Sequence, residues 1–358
     1  MDSLNTPKRI VLAVGAGASQ EVGLPIGTAL KEQVASALAF QFALGHRRMS
    51  GDELIEMVFR TLTAASEQPN VESTQLLEAA WQICDAMPQA LSIDNYLDTH
   101  KSNARVTLCG KLAIARAILS AEAASDIRVR NQAEPSRLAF SSVGETWFNA
   151  FFQLLTENAT IDQLPARFSK IAIVCFNYDR CIEHFLYSAV QNYYRINPGP
   201  AAEVLGHLEI FHPFGTVGAL PWQDQTDAVD FGETLSADKL LRHSEKIRTF
   251  TESTDESASN IVALRSRLLR AGQIVFLGFA FHPLNLEVLF GGRTDSAPAR
   301  SAEIWGTCFG VSSSNVEEIK VELRRLTGVD KSLIELRQDL KCSALIHEYW
   351  RKLSLRSA

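Results

Sequence analysis

Short apolar runs, each closed by a glycine-rich or polar segment, punctuate a chain whose remaining pattern is helical. Residues 10–14 read IVLAV and residues 171–176 read IAIVCF, uncharged and rich in β-branched side chains. That is the pattern of central parallel strands covered on both faces. Weaker runs at 208–211, 273–277 and 302–308 are further strand candidates. After the first run, apolar positions recur at helical spacing: Leu30, Val34, Ala37 and Leu38, then Leu54, Met57 and Val58, then Leu76, Leu77, Ala80, Trp81 and Cys84. Polar breaks at 66–73 and 125–135 separate these segments.

Strands that alternate with helices imply parallel pairing and right-handed crossovers. The expected class is therefore α/β: a Rossmann-like parallel sheet covered by helices, with a large helical insertion between the first and second strands. The expected division is a nucleotide-binding core at 1–35 and 166–312 and a helical insertion at 36–165. C-terminal helices at 313–358 should pack on the core, built from the patterns at 316–326 and 342–353. The polar stretch 222–260 reads as lying outside the sheet, with one amphipathic helix at 237–250.

With 358 residues, 46% of them hydrophobic, the chain can bury a large core as one elaborated domain or two. A net charge of −6 argues against broad nucleic-acid adhesion, and the basic clusters at Arg47 and Arg48 and at 265–270 read as solvated helix faces. The six cysteines form no C-x-x-C pair, which excludes a zinc ribbon and leaves no metal expected. No secretory pattern opens the chain and no apolar run reaches the roughly 18 residues of a membrane span. A cytoplasmic protein with reduced thiols, not bound to a membrane, is the expectation.

Candidate chemistry sits where the apolar runs stop, because ligands of open parallel sheets bind beyond the carboxyl ends of the strands. The first run ends in Gly15-Ala16-Gly17-Ala18-Ser19, a turn whose glycines allow close backbone approach and whose following helix, expected near Ser19, would aim N–H groups at an anion. Gln20 stands where a dinucleotide fingerprint has its third glycine, residues 28–44 read as helix rather than strand, and no Gly-Lys-Ser/Thr follows. A standard dehydrogenase and a Walker-type ATPase are both disfavoured. The other polar strand ends are Asn177-Tyr178-Asp179-Arg180, His212-Pro213-Phe214-Gly215-Thr216, and Gly278-Phe279-Ala280-Phe281-His282-Pro283-Leu284-Asn285. Individually, Asn177 and Asp179 could cap the helix expected at 180–193, His212 could be a hydrogen-bonded structural residue, and Gly278 a plain turn. Their joint placement on one sheet favours a common site.

Together these residues resemble the sirtuin family, and more closely its bacterial branch associated with antiphage defence. The resemblance rests on Gly15 to Ser19 with Gly23-Leu24-Pro25, on Asn177-Tyr178-Asp179, on His212 near Gly215, and on Gly278 with Asn285, in family order. Ser92-Ile93-Asp94-Asn95-Tyr96-Leu97 also resembles a segment of that branch. The chain departs from protein-deacylating sirtuins in lacking their zinc module, in carrying Ile26-Gly27-Thr28 where they have Asp-Phe-Arg, and in placing His212 two residues before the position preceding the glycine. The resemblance implies NAD as substrate and cleavage of its nicotinamide–ribose bond. It also implies catalytic roles for Asn177, Asp179 and His212, and an NAD pocket lined by Gly15, Ala16, Gly17, Ala18, Ser19, Pro25, Gly278, Phe279 and Asn285. Water is the expected acceptor, which makes the chain an NAD nucleosidase. It would act as an oligomeric defence effector controlled by assembly or by a partner such as a ring-shaped ATPase or an Argonaute-like sensor. The alternatives are a non-catalytic module that binds NAD or ADP-ribose, and a protein deacylase.

Overall fold

The computed structural model describes residues 10–43, 48–129, 138–253, 259–292 and 297–355; Arg47 and much of the polar break at 125–135 lie outside the described residues. Six parallel strands form one sheet: β1 (Ile10–Val14), β2 (Ile171–Cys175), β3 (Glu209–Phe211), β4 (Gln273–Leu277), β5 (Glu303–Thr307) and β6 (Ile334–Arg337). Their spatial order is β3-β2-β1-β4-β5-β6, a doubly wound, Rossmann-like arrangement. Every residue of β1 and β2 is buried, as their uninterrupted apolar sequences demand. Register aligns the strand ends: Val14 stands level with Cys175 on one side and Leu277 on the other, and Phe211 with Val174. The segments that leave β1, β2 and β4 thus start at one height.

The sheet gains a strand that the sequence reading left out. Ile334-Glu335-Leu336-Arg337 buries Ile334 and Leu336 and exposes Glu335, because an edge strand needs only one apolar face. Four residues of such alternation, set between two helical patterns, give too short a period to separate from a loop.

The chain divides into two compact units: one of Met1–Gly23, Asp126–Pro213 and Ser253–Ala358, the other of Leu24–Ser125 and Phe214–Glu252. All six strands belong to the first. The boundaries run elsewhere than the sequence pattern suggests. The helix Trp147–Thr156 groups with the sheet unit, since it buries residues around most of its circumference, among them Trp147, Phe148, Phe151, Phe152 and Leu155. It packs on the helices Cys181–Tyr194 and Cys342–Glu348. A single carboxylate ties two of these helix starts together: Glu21 accepts the Trp147 N–H at 2.6 Å and the Ser343 N–H at 3.2 Å. A negative group at two helix N-termini satisfies orphan donors and complements both dipoles.

The second unit is built around the helix Ala104–Ala124, whose small residues at Gly110, Ala113, Ala117 and Ala121 let neighbours approach. A Cβ on Gly110 would lie 2.4 Å from the Leu97 side chain. Around it stand the helices Gly27–Leu38, Glu53–Ala65, Pro69–Ala86 and Ala237–Ser244. Asp52 caps the second of these by accepting the Leu54 and Ile55 N–H groups. The amphipathic helix expected over 237–250 stops at Ser244, and a separate turn occupies Phe250–Ser253. A small antiparallel ribbon, Gln41–Phe42 with Arg48–Ser50, replaces the end of the helix expected at 28–44. Among the described residues no helix is long and apolar enough to cross a membrane.

Candidate functional site

Strand order reverses between β1 and β4, and the glycine turn after β1 meets Gly278 after β4 at that point. In sheets of this kind the reversal opens the ligand crevice. Gly15 leaves β1 by donating its N–H to Leu277 O at 3.0 Å, and Gly17 donates to Gly278 O at 3.0 Å. A Cβ on Gly15 would sit 2.6 Å from Gly278 O, and one on Gly278 only 2.0 Å from Ala18 N. Gly278 also has φ +57, a left-handed conformation suited to glycine. The glycines are therefore needed first so that two strand-end backbones can touch.

The turn does not launch a long helix near Ser19, as its sequence suggests. Ala16–Ser19 form a single helical turn, Gln20–Val22 tighten into 3₁₀ geometry, and Gly23 at φ 90 ends the segment. The N–H groups of Gly15, Gly17 and Ala18 are bonded to backbone carbonyls. Ala16, first residue of the turn, has no intrahelical acceptor for its own. From behind, the buried Trp147 indole donates to Ala18 O at 3.0 Å and pins the turn in place.

Asn177 and Asp179 leave β2 and reach across to that turn. Asn177 Nδ2 donates to Gly15 O at 3.1 Å and to Ser19 Oγ at 2.9 Å; Ser19 Oγ in turn donates to Asp179 Oδ1 at 3.2 Å. The same carboxylate oxygen accepts the Cys181 N–H at 3.1 Å, so Asp179 also closes the start of the helix Cys181–Tyr194. Asn177 plays no such capping part. Burial raises the Asp179 carboxyl above its ordinary range, against the opposing bonds from Cys181 and Ser19. A carboxyl of this kind holds its proton more readily than a solvated one.

His212, just beyond β3, joins the group through both ring nitrogens. Nδ1 faces Asn177 O at 3.2 Å, and Nε2 faces Glu183 Oε1 at 2.7 Å. Glu183 projects from the first turn of the helix Cys181–Tyr194 and is 4% exposed, and its second oxygen, Oε2, has no hydrogen-bond partner. Burial opposes charge on both residues. Their mutual attraction prevails: the Glu183 carboxylate holds His212 well above its ordinary 6.5, and His212, with Arg180, holds Glu183 below its ordinary 4.5. Cys175 lies close by, its thiol pushed up by burial. Sequence reasoning missed Glu183. The available signal was a carboxylate among Cys181, Ile182, Phe185 and Leu186, the buried face of its helix.

The segment that leaves β4 is largely apolar and buried. Phe279 packs edge-on against Phe176 with ring centroids 5.1 Å apart, and against Phe281 at 5.3 Å. Phe281 holds φ +53, a costly conformation for a bulky residue and of the sort that clusters near functional sites. Gly278 N–H donates to Thr307 Oγ1 at 2.9 Å. Asn285 lies half-buried in the helix Pro283–Phe290, and the structure does not draw its side chain into the polar group. Pro25 and Gly215 belong to the second unit. There Gly215 has φ +71 and leaves no room for a Cβ, which would lie 1.9 Å from Lys246 O.

Among the described residues no group of three or more His, Cys, Asp or Glu side chains could hold a metal ion, and the six cysteines are free thiols. Fold and strand-end geometry define an α/β protein with a polar constellation beyond the ends of β1, β2 and β3, beside its topological switch point. The chain matches no protein-family model and no curated protein.

Proposed function

We propose that this chain is an NAD nucleosidase, hydrolysing the nicotinamide–ribose bond to give nicotinamide and ADP-ribose. The observation that carries the reading is the linked group Ser19, Asn177, Asp179 and His212, drawn together from three strand ends beside the switch point of a Rossmann-like sheet. These are the residues through which the sequence resembles sirtuin-like NAD-cleaving proteins.

The chemistry asks little of the protein. Nicotinamide departs as a neutral pyridine and needs no general acid. The ribose passes through an oxocarbenium-like state, as in other glycoside cleavages. NAD would lie with its pyrophosphate over the Gly15–Ser19 turn, where the Ala16 N–H faces it, and with its nicotinamide ribose toward Asn177. Asn177, fixed by Gly15 O and Ser19, orients ribose or water, and this positioning replaces a chance encounter with a held geometry. Asp179 keeps Ser19 and the start of the helix in register. Water adds to the anomeric carbon, and His212 takes the proton that the water releases. Phe279 and Phe281 supply the apolar wall that limits competing solvent.

A hydrolase of this kind needs restraint in the cell. Control by self-assembly or by a sensor partner, in an antiphage role, completes the proposal. The experiment is to incubate the purified full chain with NAD and quantify nicotinamide. Release that Asn177→Ala abolishes supports the reading. Tight NAD binding with no release by the assembled protein favours a binding module instead, which the mutual satisfaction of Asn177, Ser19 and Asp179 would suit. Consumption of NAD only with an acyl-lysine peptide would identify a deacylase.

A further inference from the structure

We propose that Glu183 is the positioning residue of this site: its buried carboxylate fixes the His212 ring through Nε2 and leaves Nδ1 as the nitrogen that works on the substrate. The two bonds to the ring are unequal. The contact to Glu183 is 2.7 Å, the length of a charge-assisted bond, while that to the Asn177 carbonyl is 3.2 Å. A carbonyl only accepts, so Nδ1 carries a hydrogen here, and Nε2 donates to the carboxylate. Both nitrogens are protonated in this arrangement, and the ring offers no lone pair to a water or ribose hydroxyl.

One side of the ring must open before a proton can be taken. Glu183 is 4% exposed and its Oε2 is unpartnered, so parting it from His212 would strand a buried charge. The Asn177 carbonyl is neutral and holds the ring by the longer bond. Substrate therefore displaces the Asn177 carbonyl from Nδ1 while Glu183 keeps its hold. His212 first releases its Nδ1 proton to solvent, then receives one from the attacking water as the new C–O bond forms and the C–N bond to nicotinamide breaks with its electron pair on the pyridine nitrogen, and Nε2–H keeps its hydrogen bond to Glu183 throughout. The charged and titratable groups facing this pair are Arg180 and Asp179 beside Glu183, and Cys175, whose sulfur hydrogen-bonds with the His212 ring and adds to its hold on the proton. Glu183 dominates among the groups that favour the His212 cation. It follows that His212 resists losing its proton, and that turnover rises with pH until it does.

The orienting role rests on the geometry, and its catalytic consequence rests on the NAD reading. A histidine-ring NMR titration of the full chain, with the His212 signal assigned by its loss in His212→Asn, tests the first. His212 should stay protonated through pH 7 in the wild type, and its midpoint should move to lower pH in Glu183→Gln, which keeps the hydrogen bond and removes the charge. A wild-type His212 that is neutral at pH 7, or a midpoint that Glu183→Gln leaves in place, overturns the proposal; the wild-type result alone decides it if the variant does not fold. The second is read from nicotinamide release against pH. Glu183→Gln should shift the acid limb downward, whereas Glu183→Ala, which removes the bond that fixes the ring, should lower kcat about tenfold or more with KM for NAD little changed; an unmoved limb counts against the proposal. A wild-type chain that binds no NAD sinks the NAD reading and leaves the titration result standing.

Discussion

The two halves of the sheet end differently. Beyond β1, β2 and β3 lie Ser19, Asn177, Asp179 and His212, joined by hydrogen bonds into one polar group with Glu183 behind it. Beyond β4 and β5 lie Gly278, Phe279, Phe281 and Cys308, packed by aromatic contact and buried apolar surface. Glycine serves the seam between the halves, where Gly15, Gly17 and Gly278 bring two backbones together. The contrast divides the sheet: one half ends in hydrogen-bonded polar groups, the other in packed aromatic rings.

On the NAD reading, substitutions on the polar half should strike turnover first. Asn177→Ala is expected to lower nicotinamide release by about 10²-fold or more with circular dichroism unchanged, and His212→Ala should do the same but also lose stability, because it strands the buried Glu183 carboxylate. On the apolar half the outcome reverses. Phe279→Ala leaves a cavity among Phe176, Phe276 and Phe281 and should cost about 3–5 kcal/mol in chemical denaturation. At the seam, Gly278→Ala must accommodate φ +57 and a methyl 2.0 Å from Ala18 N; about 3 kcal/mol of stability should be lost. If Gly278→Ala were harmless, the close contact of the two turns would not be what requires glycine there.

Two smaller effects sharpen the division. Burial raises the Asp179 carboxyl, so its ionisation above the unfolded value costs stability that is regained as pH falls. Asp179→Asn, which can still accept from Ser19 and Cys181, should raise stability at pH 7 by about 1 kcal/mol while reducing turnover. The His212–Glu183 pair behaves in the opposite sense. His212 is raised, so its contribution is full below its ordinary 6.5 and is lost as pH climbs through the folded value; Glu183 is depressed, so its contribution is full above 4.5 and is lost as pH drops through its own. Thermal melting followed across pH should show Glu183→Gln destabilised most in the neutral window between those limits, with the difference narrowing toward alkaline pH.

The parts of the fold that were legible in sequence are those buried on both sides. The runs behind β1, β2 and β4 have no polar face to disguise them, and their ends led to Gly15, Asn177 and Gly278. β6 and the ribbon at Gln41–Phe42 escaped because short or one-faced strands carry too few periods to declare themselves. The bonds that join the site were legible only in part. Asn177 and Asp179 looked alike as helix caps; in three dimensions only Asp179 reaches Cys181 N–H, and Asn177 turns across to Gly15 and Ser19. Glu183 was hidden because a carboxylate in a helix reads as solvated until the partner that buries it, twenty-nine positions away, is placed beside it. Gly15, Gly17 and Gly278 also have a task that the sequence does not show: they make room for each other.

Determining the structure of the full chain with NAD bound tests the assignment of chemistry to the polar half most directly. The nicotinamide ribose should lie at hydrogen-bond distance, about 3 Å, from the Asn177 side chain and from His212 Nδ1, with Nε2 still on Glu183. A ribose placed away from Asn177, or a His212 ring turned from the sugar, would contradict it.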